Sequence, residues 1–317
     1  MAEAAGAPGR ELLVILNPAA GRGGASSLWP ELRRAFRAAG ARAELALTSA
    51  PGHAVELAES AARAGWPGVV AVGGDGVVHE VVNGLMRADA DGVQGTALGV
   101  IGAGSGNDFV KMLDLPVHHP TLAARRIATA TARPVDVGRV NKCLAGRGPE
   151  RVWYFTNGVG MGFDAQVAVH ASRVRRLRGF AIYAAAVVRT LRELRSPRMR
   201  VEIDGVVVAD RPLVLATIGN GRCHGGSFWL CPDAGVEDGL FDVLVADARS
   251  VPRVLTLLPS VMKGRHVGAP GVTIHRGRVA RVISEEPIPI HADGELVADD
   301  VTELEAEVLP GRLLVLG

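Results

Sequence analysis

Short apolar runs alternate with helix-like segments through residues 11–140, and this alternation restricts the fold more than any other feature of the 317-residue chain. The runs LLVIL (12–16), GVVAV (68–72) and ALGVI (97–101) contain no polar side chain. Such strands are buried on both faces, as happens when helices cover both sides of a parallel sheet. We therefore predict an α/β domain with strands over 12–16, 42–48, 68–72 and 97–101, and helices over 27–40, 51–65 and 76–88.

The pattern changes after RPVDVGRVN (133–141). From about residue 150 the chain is typical of β-strands separated by turn signals, such as Asp204–Gly205 between two apolar runs. One segment, 171–195, is helical in pattern instead. We predict an antiparallel β-sandwich or barrel-like second domain, with domain limits of 10–138 and 139–317. A return of the extreme C-terminal segment to the first domain is left open.

Composition limits the classes of function. A net charge of +2 argues against polyanion binding by the protein as a whole, and three cysteines in so long a chain do not make a disulfide framework. No window reaches the ~18 uninterrupted apolar residues of a transmembrane helix. We expect a cytoplasmic protein that is at most attached peripherally to a membrane.

Three glycine-rich turns each follow a predicted parallel strand: NPAAGRGGA (17–25), GGDG (73–76) and GAGSGNDF (102–109). Ligands of parallel sheets bind beyond the carboxyl ends of the strands, where these turns lie. Glycine lets the backbone approach a ligand closely, and a helix N-terminus favours an anion. The spacing fits neither a P-loop nor a Rossmann fingerprint. The turns therefore predict a phosphate-binding site of another kind.

Six motifs in order give the chain a family resemblance: ILNPAAGRGG, VVAVGGDGVVHEVVNGL, LGVIGAGSGNDF, RPVDVG, IGNGRCHGGSFWLCPDAGVEDGLFDV and HADGE. Over roughly residues 11–312 the chain resembles the diacylglycerol kinase catalytic family, and most closely the bacterial soluble lipid kinases of the diacylglycerol, sphingosine and YegS type. The resemblance implies an α/β nucleotide domain, a β-sandwich domain and an active cleft between them. It also implies transfer of phosphate from ATP to a lipid hydroxyl, with Mg²⁺ as cofactor.

The ATP contacts that the resemblance implies lie in the first two glycine turns and beside them. They are Asn17, Pro18, Ala19, Ala20, Gly21, Arg22, Thr48, Gly73, Gly74, Asp75, Gly76, Val77, Val78, His79, Glu80 and Ser105. Arg22 stands where the family often has lysine, and Val77 replaces a usual threonine. For Thr48 the alternative is a helix N-cap before PGHAVEL. For His79 it is a solvent-facing position one turn before Asn83.

Metal ligands are also implied by the resemblance. Asp75, Asp108 and Asp136 match family aspartates suited to an aspartate–water–magnesium network. Gly235, Asp238 and Leu240 match a second, structural cation site. A surface turn is the alternative for Asp136, and an ordinary Asp–Gly turn is the alternative for Asp238. Because turns tolerate asparagine, we expect Asp75→Asn to leave the fold intact.

The HADGE segment carries the candidate proton acceptor. By resemblance the acceptor matches Glu295, and Asp293 is needed close to it. If both residues lie in one strand, their side chains point to the same face and could act as a pair. Which of the two accepts the proton is left open. An Asp–Gly pair is also a strong hairpin signal.

The implied partners are ATP, a lipid and a membrane surface. Between Arg173 and Arg200 there are nine arginines and one acidic residue, Glu193, around the apolar stretch GFAIYAAAVV. Such a segment is typical of helices that lie in the headgroup layer, although a helix packed on the second domain is the alternative. We expect no nucleic acid partner, because aromatic residues are few, and a homodimer is left open. An NAD kinase and a catalytically weak lipid-binding protein are the alternative functions.

Overall fold

The computed structural model describes residues 10–145, 152–174, 180–226 and 228–317. The chain divides into two compact units. Unit 1 runs up to Val135 and also contains Leu313–Gly317, and unit 2 is Asp136–Arg312.

Unit 1 alternates strands and helices. In chain order the elements are β1 (Glu11–Leu16), a 3-10 helix (Ala20–Gly23), α1 (Ala25–Ala38), β2 (Arg42–Leu47), α2 (His53–Arg63), β3 (Gly68–Gly73), α3 (Asp75–Ala90), β4 (Ala97–Gly102), α4 (Asp108–Met112) and α5 (Pro120–Thr129). The strands and helices predicted for this part are confirmed, with ends shifted by a residue or two. The short helices α4 and α5 were not predicted.

The sheet of unit 1 is parallel throughout and has the strand order β2–β1–β3–β4. The last residues of the chain continue it, because Val315 and Leu316 pair in parallel with Leu98 and Gly99 of β4. Residues of α1 and α5 share one apolar core with the sheet. Since all these strands run in one direction, their carboxyl ends and the three glycine turns lie at the same edge of the sheet.

Unit 2 is mostly antiparallel β-structure. Its elements are β5 (Ala132–Ala145, which begins in unit 1), β6 (Trp153–Phe155), β7 (Gly158–Gly162), α6 (Phe163–Ser172), α7 (Phe180–Arg192), β8 (Arg198–Ile203), β9 (Val206–Gly219), β10 (Phe241–Asp247), α8 (Val251–Val261), β11 (Val272–Gly277), β12 (Val279–Ala292) and β13 (Glu295–Leu316, which ends in unit 1). The predicted turn at Asp204–Gly205 joins β8 to β9, and both residues have positive φ, as a type I′ hairpin requires.

Two long strands shape this unit. One half of β9 pairs with β8 and the other half with β7 and β10. Likewise β12 pairs with β8 over its first residues and with β7 over its last. The strands β7, β9, β8 and β12 therefore close a ring around an apolar core that includes Phe155, Phe241 and Leu304. The prediction of a sandwich-like or barrel-like antiparallel domain is confirmed.

The helices of unit 2 differ from the prediction. The single helix expected over 171–195 is divided, since α6 ends at Ser172 and α7 begins at Phe180, while residues 175–179 lie outside the described part. Helix α8 was not predicted; it contains Pro259, which is unusual inside a helix, and its apolar Leu255 is exposed. Among the described helices, none combines the length and apolarity needed to cross a membrane.

Candidate functional site

The first glycine turn leaves β1 at Asn17. The Asn17 N–H donates to Val72 O of β3 at 3.2 Å, and the Asn17 side-chain oxygen accepts the Ala19 N–H at 2.9 Å. This local turn starts the 3-10 helix that leads into α1. Gly21 has a positive φ of 55°, and a Cβ there would lie 3.2 Å from Ala103 O. The predicted residues Asn17–Gly21 thus form one loop; the side chain of Arg22 lies outside the described part.

The second and third glycine turns touch each other. A Cβ on Gly104 would lie 2.5 Å from Gly74 Cα, so only glycine permits this approach. The Ala103 N–H donates to Gly73 O at 2.7 Å. Asn107 then closes the third turn, because its side chain bonds both the N–H and the C=O of Gly104. Sequence reasoning missed Asn107, although its left-handed φ of 53° is typical of asparagine.

Asp75 joins these two turns through its carboxylate. One oxygen accepts the Asn107 N–H at 2.8 Å, and the other accepts the Asp108 N–H at 2.7 Å. Asparagine has a single acceptor oxygen and would leave one of the two N–H groups unmatched. Asp75 is therefore a cap between two loops and not only a turn residue, so we now expect Asp75→Asn to cost stability.

An open cavity of about 300 Å³ lies between the first and third turns. Its lining is mostly backbone and small side chains: Gly21, Gly24, Ala25, Leu28, Gly102, Ala103, Gly104, Asn107, Val117, His118 and Pro120. Sequence reasoning missed Leu28 and the residues 117–120, which carry no motif. A cavity lined by both glycine backbone and apolar side chains can receive a ligand that has both a polar and a flat apolar part.

The residues after Gly76 contribute to the packing of α3 and to its contact with α2. Val77 and Val78 are buried, so the replacement of the usual threonine lies inside the helix packing. Glu80 caps α2, because its two carboxylate oxygens accept the N–H groups of Gly52 and Ala54 at 2.9 and 3.1 Å. His79 is half-buried and contacts the Asn83 side chain one turn later, and its role as a phosphate contact stays a prediction.

Thr48 is not the N-cap of α2. The helix begins at His53, and its N-cap is Gly52, which has no side chain that could form a capping hydrogen bond. Thr48 instead donates its N–H to Leu16 O at 3.0 Å and continues the pairing of β1 with β2. It is buried, beside the end of β1 where the first turn starts.

Asp75 and Asp108 present carboxylate oxygens around Gly106. A Cβ on Gly106 would lie 2.4 Å from Asp75 Oδ2 and 3.7 Å from Asp108 Oδ2. Glycine leaves this point open, and two carboxylates around an open point fit a hydrated Mg²⁺, which prefers oxygen ligands and keeps several waters. Asp108 also pairs with Lys111 at 3.2 Å, which sequence reasoning missed. Ser105 is exposed at the tip of the same turn.

Asp136 belongs to unit 2, and both of its carboxylate oxygens are engaged there. They accept the N–H groups of Gly239 and Gly311, each at 2.7 Å, and the side chain is only 2 % exposed. The surface-turn alternative is therefore wrong. The residue fastens two backbone segments of unit 2, as Asp75 fastens two glycine turns, and its role as a magnesium ligand stays a prediction.

Asp238, predicted to bind a second cation with Gly235 and Leu240, already has a cationic partner. Its carboxylate accepts the Leu240 N–H at 3.1 Å and forms an ion pair with the Arg276 guanidinium, which also bonds Asp242 at 2.9 Å. Burial raises the pKa of Asp242, and Arg276 opposes that rise. Arg276 thus supplies a positive charge beside Asp238, and the second cation site stays a prediction.

The HADGE segment is a hairpin turn and not a continuous strand. Ala292 pairs with Glu295, and the two residues between them have positive φ, 52° for Asp293 and 88° for Gly294. The expectation that Asp293 and Glu295 share a strand face is therefore wrong. The Asp293 carboxylate accepts the N–H groups of Thr156, Asn157 and Gly158 at 2.7 to 3.2 Å, whereas Glu295 is exposed.

Behind this turn lies a buried polar cluster that sequence reasoning missed. Asp164, in the first turn of α6, accepts hydrogen bonds from the Thr217 hydroxyl and the Ala165 N–H and contacts His291 at 3.4 Å. Burial would raise the pKa of Asp164, but hydrogen bonds from His291, Thr217 and Ala165 hold that pKa below its usual value. Asp164 thus remains a carboxylate inside the unit.

Comparisons with known proteins agree with the two-part organisation. Residues 11–140 match the model of the diacylglycerol kinase catalytic domain, and residues 157–317 match that of the YegS C-terminal NAD kinase beta sandwich-like domain. The diacylglycerol kinase of Mycobacterium tuberculosis (strain ATCC 25618 / H37Rv) is 34% identical over 82% of this chain and 80% of its own.

Two further relatives extend the comparison. The "Probable lipid kinase YegS-like" of Chromohalobacter salexigens is 31% identical over 92% of this chain and 89% of its own. The crystal structure of a diacylglycerol kinase from Bacillus anthracis str. Sterne has a TM-score of 0.72 at 21% identity, covering 97% of this chain and 96% of that one, which shows a shared fold. The chain therefore belongs to the lipid kinase family of phosphotransferases, in which a diacylglycerol kinase catalytic domain precedes a YegS-type β-sandwich domain.

Proposed function

We propose that this lipid kinase transfers the γ-phosphate of ATP to the hydroxyl of a lipid of the diacylglycerol class, with Mg²⁺ as cofactor. The proposal rests on the hydrogen bonds by which Asp75 joins the second and third glycine turns. They place the carboxylates of Asp75 and Asp108 around Gly106, which has no side chain to fill the space between them. The name of the mycobacterial relative supports the acceptor class, since that protein is called a diacylglycerol kinase. A sphingoid-like lipid is the alternative acceptor.

ATP has both a polar and a flat apolar part, which matches the cavity of unit 1. The glycine backbone at Gly21, Gly102 and Gly104 allows phosphate or ribose to approach closely, and Leu28 and Val117 offer apolar contact. Of the predicted contacts, we keep the loop residues Asn17–Gly21, Gly73–Gly76 and Ser105. Glu80 acts indirectly, by fixing α2 against α3.

Bound Mg²⁺ would be held near Asp75 and Asp108 and would offset the negative charge of the phosphates. In the transfer itself, the lipid oxygen forms a bond to the γ-phosphorus, and the bond from that phosphorus to the bridging oxygen breaks, leaving its electron pair on ADP. The proton of the lipid hydroxyl passes to a carboxylate. Glu295 is our candidate acceptor, because it is exposed while Asp293 is occupied by three backbone N–H groups.

The direct test is an assay with purified protein, radiolabelled ATP, Mg²⁺ and mixed micelles that contain diacylglycerol, a sphingoid base or neither. We expect a labelled product with diacylglycerol, and none when EDTA removes Mg²⁺. NAD replaces the lipid in a parallel reaction. Labelled NADP with no labelled lipid would overturn the proposal in favour of an NAD kinase, and absence of any labelled product would favour the catalytically weak lipid-binding alternative.

A variant at Gly106 tests the magnesium assignment without removing a carboxylate. In Gly106→Ala the added methyl occupies the point 2.4 Å from Asp75 Oδ2, so we expect the Mg²⁺ concentration for half-maximal activity to rise about tenfold or more. Asp75→Asn should lose activity and also about 1–3 kcal/mol of stability, because one backbone N–H is left unmatched. Asp91→Asn, at the C-terminal end of the same helix, is the control. An unchanged Mg²⁺ requirement in Gly106→Ala would contradict the assignment.

The proton acceptor is tested by Glu295→Gln. A general base acts in the transition state, so we expect kcat to fall by about 10²–10⁴-fold while KM for ATP stays near its normal value. Asp299→Asn, at an exposed position farther along β13, should be near normal and serves as the control. Normal turnover in Glu295→Gln combined with loss in Asp293→Asn would transfer the role to Asp293.

We further propose peripheral attachment to an anionic membrane through the basic segment around α7. Of the arginines predicted to take part, Arg175, Arg176 and Arg178 lie outside the described residues, as do the side chains of Phe180 and Tyr183. Arg173, Arg192 and Arg195 are exposed, which supports the proposal. By contrast Arg198 and Arg200 are paired with Asp210 and Glu202. The homodimer stays a prediction.

Vesicle co-sedimentation separates these two sets of arginines. An exposed basic residue near an anionic surface contributes ~1 kcal/mol, so Arg192→Gln with Arg195→Gln should weaken binding to phosphatidylglycerol vesicles by about 30-fold. The control pair, Arg198→Gln with Arg200→Gln, should have a smaller effect because acidic partners already offset those charges. Binding that is insensitive to vesicle charge, to salt and to the first pair would exclude this surface.

A further inference from the structure

The turn that carries Glu295 is fastened to unit 2 at two points. Asp293 is held by the N–H groups of residues 156–158. The next residue, Gly294, donates its own N–H to Nδ1 of His291 at 3.2 Å. Both anchors act on the two residues immediately before Glu295, so the backbone of this exposed glutamate is set by groups on either side of the turn.

The second anchor dictates which nitrogen of His291 carries the proton. Because Nδ1 accepts the Gly294 N–H, the proton of the neutral ring must be on Nε2. That nitrogen lies 3.4 Å from Asp164 Oδ2, so it can donate to the carboxylate. His291 is only 3 % exposed, so both ring nitrogens have protein partners: Nδ1 accepts from the turn and Nε2 donates to Asp164.

Asp164 is itself held by one neighbouring strand and by its own helix. Its Oδ2 accepts the Thr217 hydroxyl of β9, and its Oδ1 accepts the Ala165 N–H in the first turn of α6, where the helix dipole favours a negative charge. The contacts form a continuous series from β9 and α6 through Asp164 and His291 to the Gly294 N–H. A carboxylate buried in this way keeps its charge only because such donors surround it.

Gly160 makes room for this series. It lies directly opposite His291 in the pairing of β7 with β12. A Cβ on Gly160 would lie 2.0 Å from Asp164 Oδ2 and 2.7 Å from His291 Nε2, so any other residue would separate the two side chains. The sequence and the backbone register are thus both adapted to the contact between Asp164 and His291.

We propose that Asp164 and His291 are positioning residues for the reaction: they fix the Gly294 peptide and thereby the place from which Glu295 meets the lipid hydroxyl. The inference rests on the proposed role of Glu295 as proton acceptor. Neither residue accepts the proton itself. A shift of about 1 Å in a catalytic group can cost around 10²-fold in rate, so the rigidity of this turn has a direct kinetic consequence.

Two substitutions of similar size at His291 separate its two hydrogen bonds. In His291→Asn the side-chain oxygen can take the place of Nδ1 and still accept the Gly294 N–H. In His291→Gln the side-chain amide reaches toward Asp164 in the place of Nε2, and the Gly294 N–H loses its acceptor. We expect His291→Gln to lower kcat by about tenfold or more with KM for ATP unchanged, and His291→Asn to retain several times more turnover than His291→Gln.

Melting temperatures of all variants are measured alongside, with His275→Gln on β11 as the matched histidine control. Gly160→Ala should reproduce the kcat loss of His291→Gln without altering either polar side chain. Equal losses in His291→Asn and His291→Gln that follow their loss of stability would overturn the proposal, because a merely structural histidine would not distinguish them.

A double-mutant cycle with Glu295→Gln completes the test. If His291 acts through Glu295, adding His291→Gln to Glu295→Gln should lower kcat by less than threefold further. If the two losses multiply, the positioning role is overturned although Glu295 remains the base. If Glu295→Gln alone has normal turnover, the base assignment fails instead, so the two failures are distinguishable.

Discussion

Asp75 accepts the N–H groups of Asn107 and Asp108, and through these two hydrogen bonds one glycine turn fixes the next. The same device recurs in the chain. Glu80 caps α2, Asp136 holds Gly239 and Gly311, and Asp293 holds the residues before β7. A glycine turn has little side-chain packing of its own, so its conformation must be fixed by hydrogen bonds to its backbone. Carboxylates provide the strongest neutral-pH acceptors for that purpose.

This use of carboxylates explains which parts of the site the sequence could predict. The strands of unit 1, the glycine turns and the Asp204–Gly205 hairpin follow from local patterns, and the structure has them in the predicted places. Where an acidic side chain finds its partners depends on contacts between distant segments. Glu80 is 26 and 28 residues away in sequence from the two residues whose N–H groups it accepts, and no sequence motif predicts such a cap.

The HADGE segment shows the same limit at shorter range. The Asp–Gly pair correctly indicates a hairpin. The two nearby carboxylates suggested the other interpretation, a continuous strand in which Asp293 and Glu295 act as a pair. The positive φ of Asp293 turns its side chain toward residues 156–158 and away from the role of a paired acid. His291 and Asp164 could not be predicted to meet, because their sequence separation is large and the register of β7 against β12 brings them together.

Strand β13 runs from Glu295 to Leu316, and its last residues are the neighbours of β4 in the sheet of unit 1. Unit 1 is therefore discontinuous in the chain: its sheet needs residues that follow the whole of unit 2. A nascent chain that has emerged only as far as Val135 would have β4 as an open edge, with apolar residues such as Leu98 beside unmatched backbone groups. Open edges of this kind pair readily with other chains. The sheet of unit 1 therefore cannot be completed until residues 313–316 have been synthesised, and a chain cut before them would keep an edge that favours pairing with other chains.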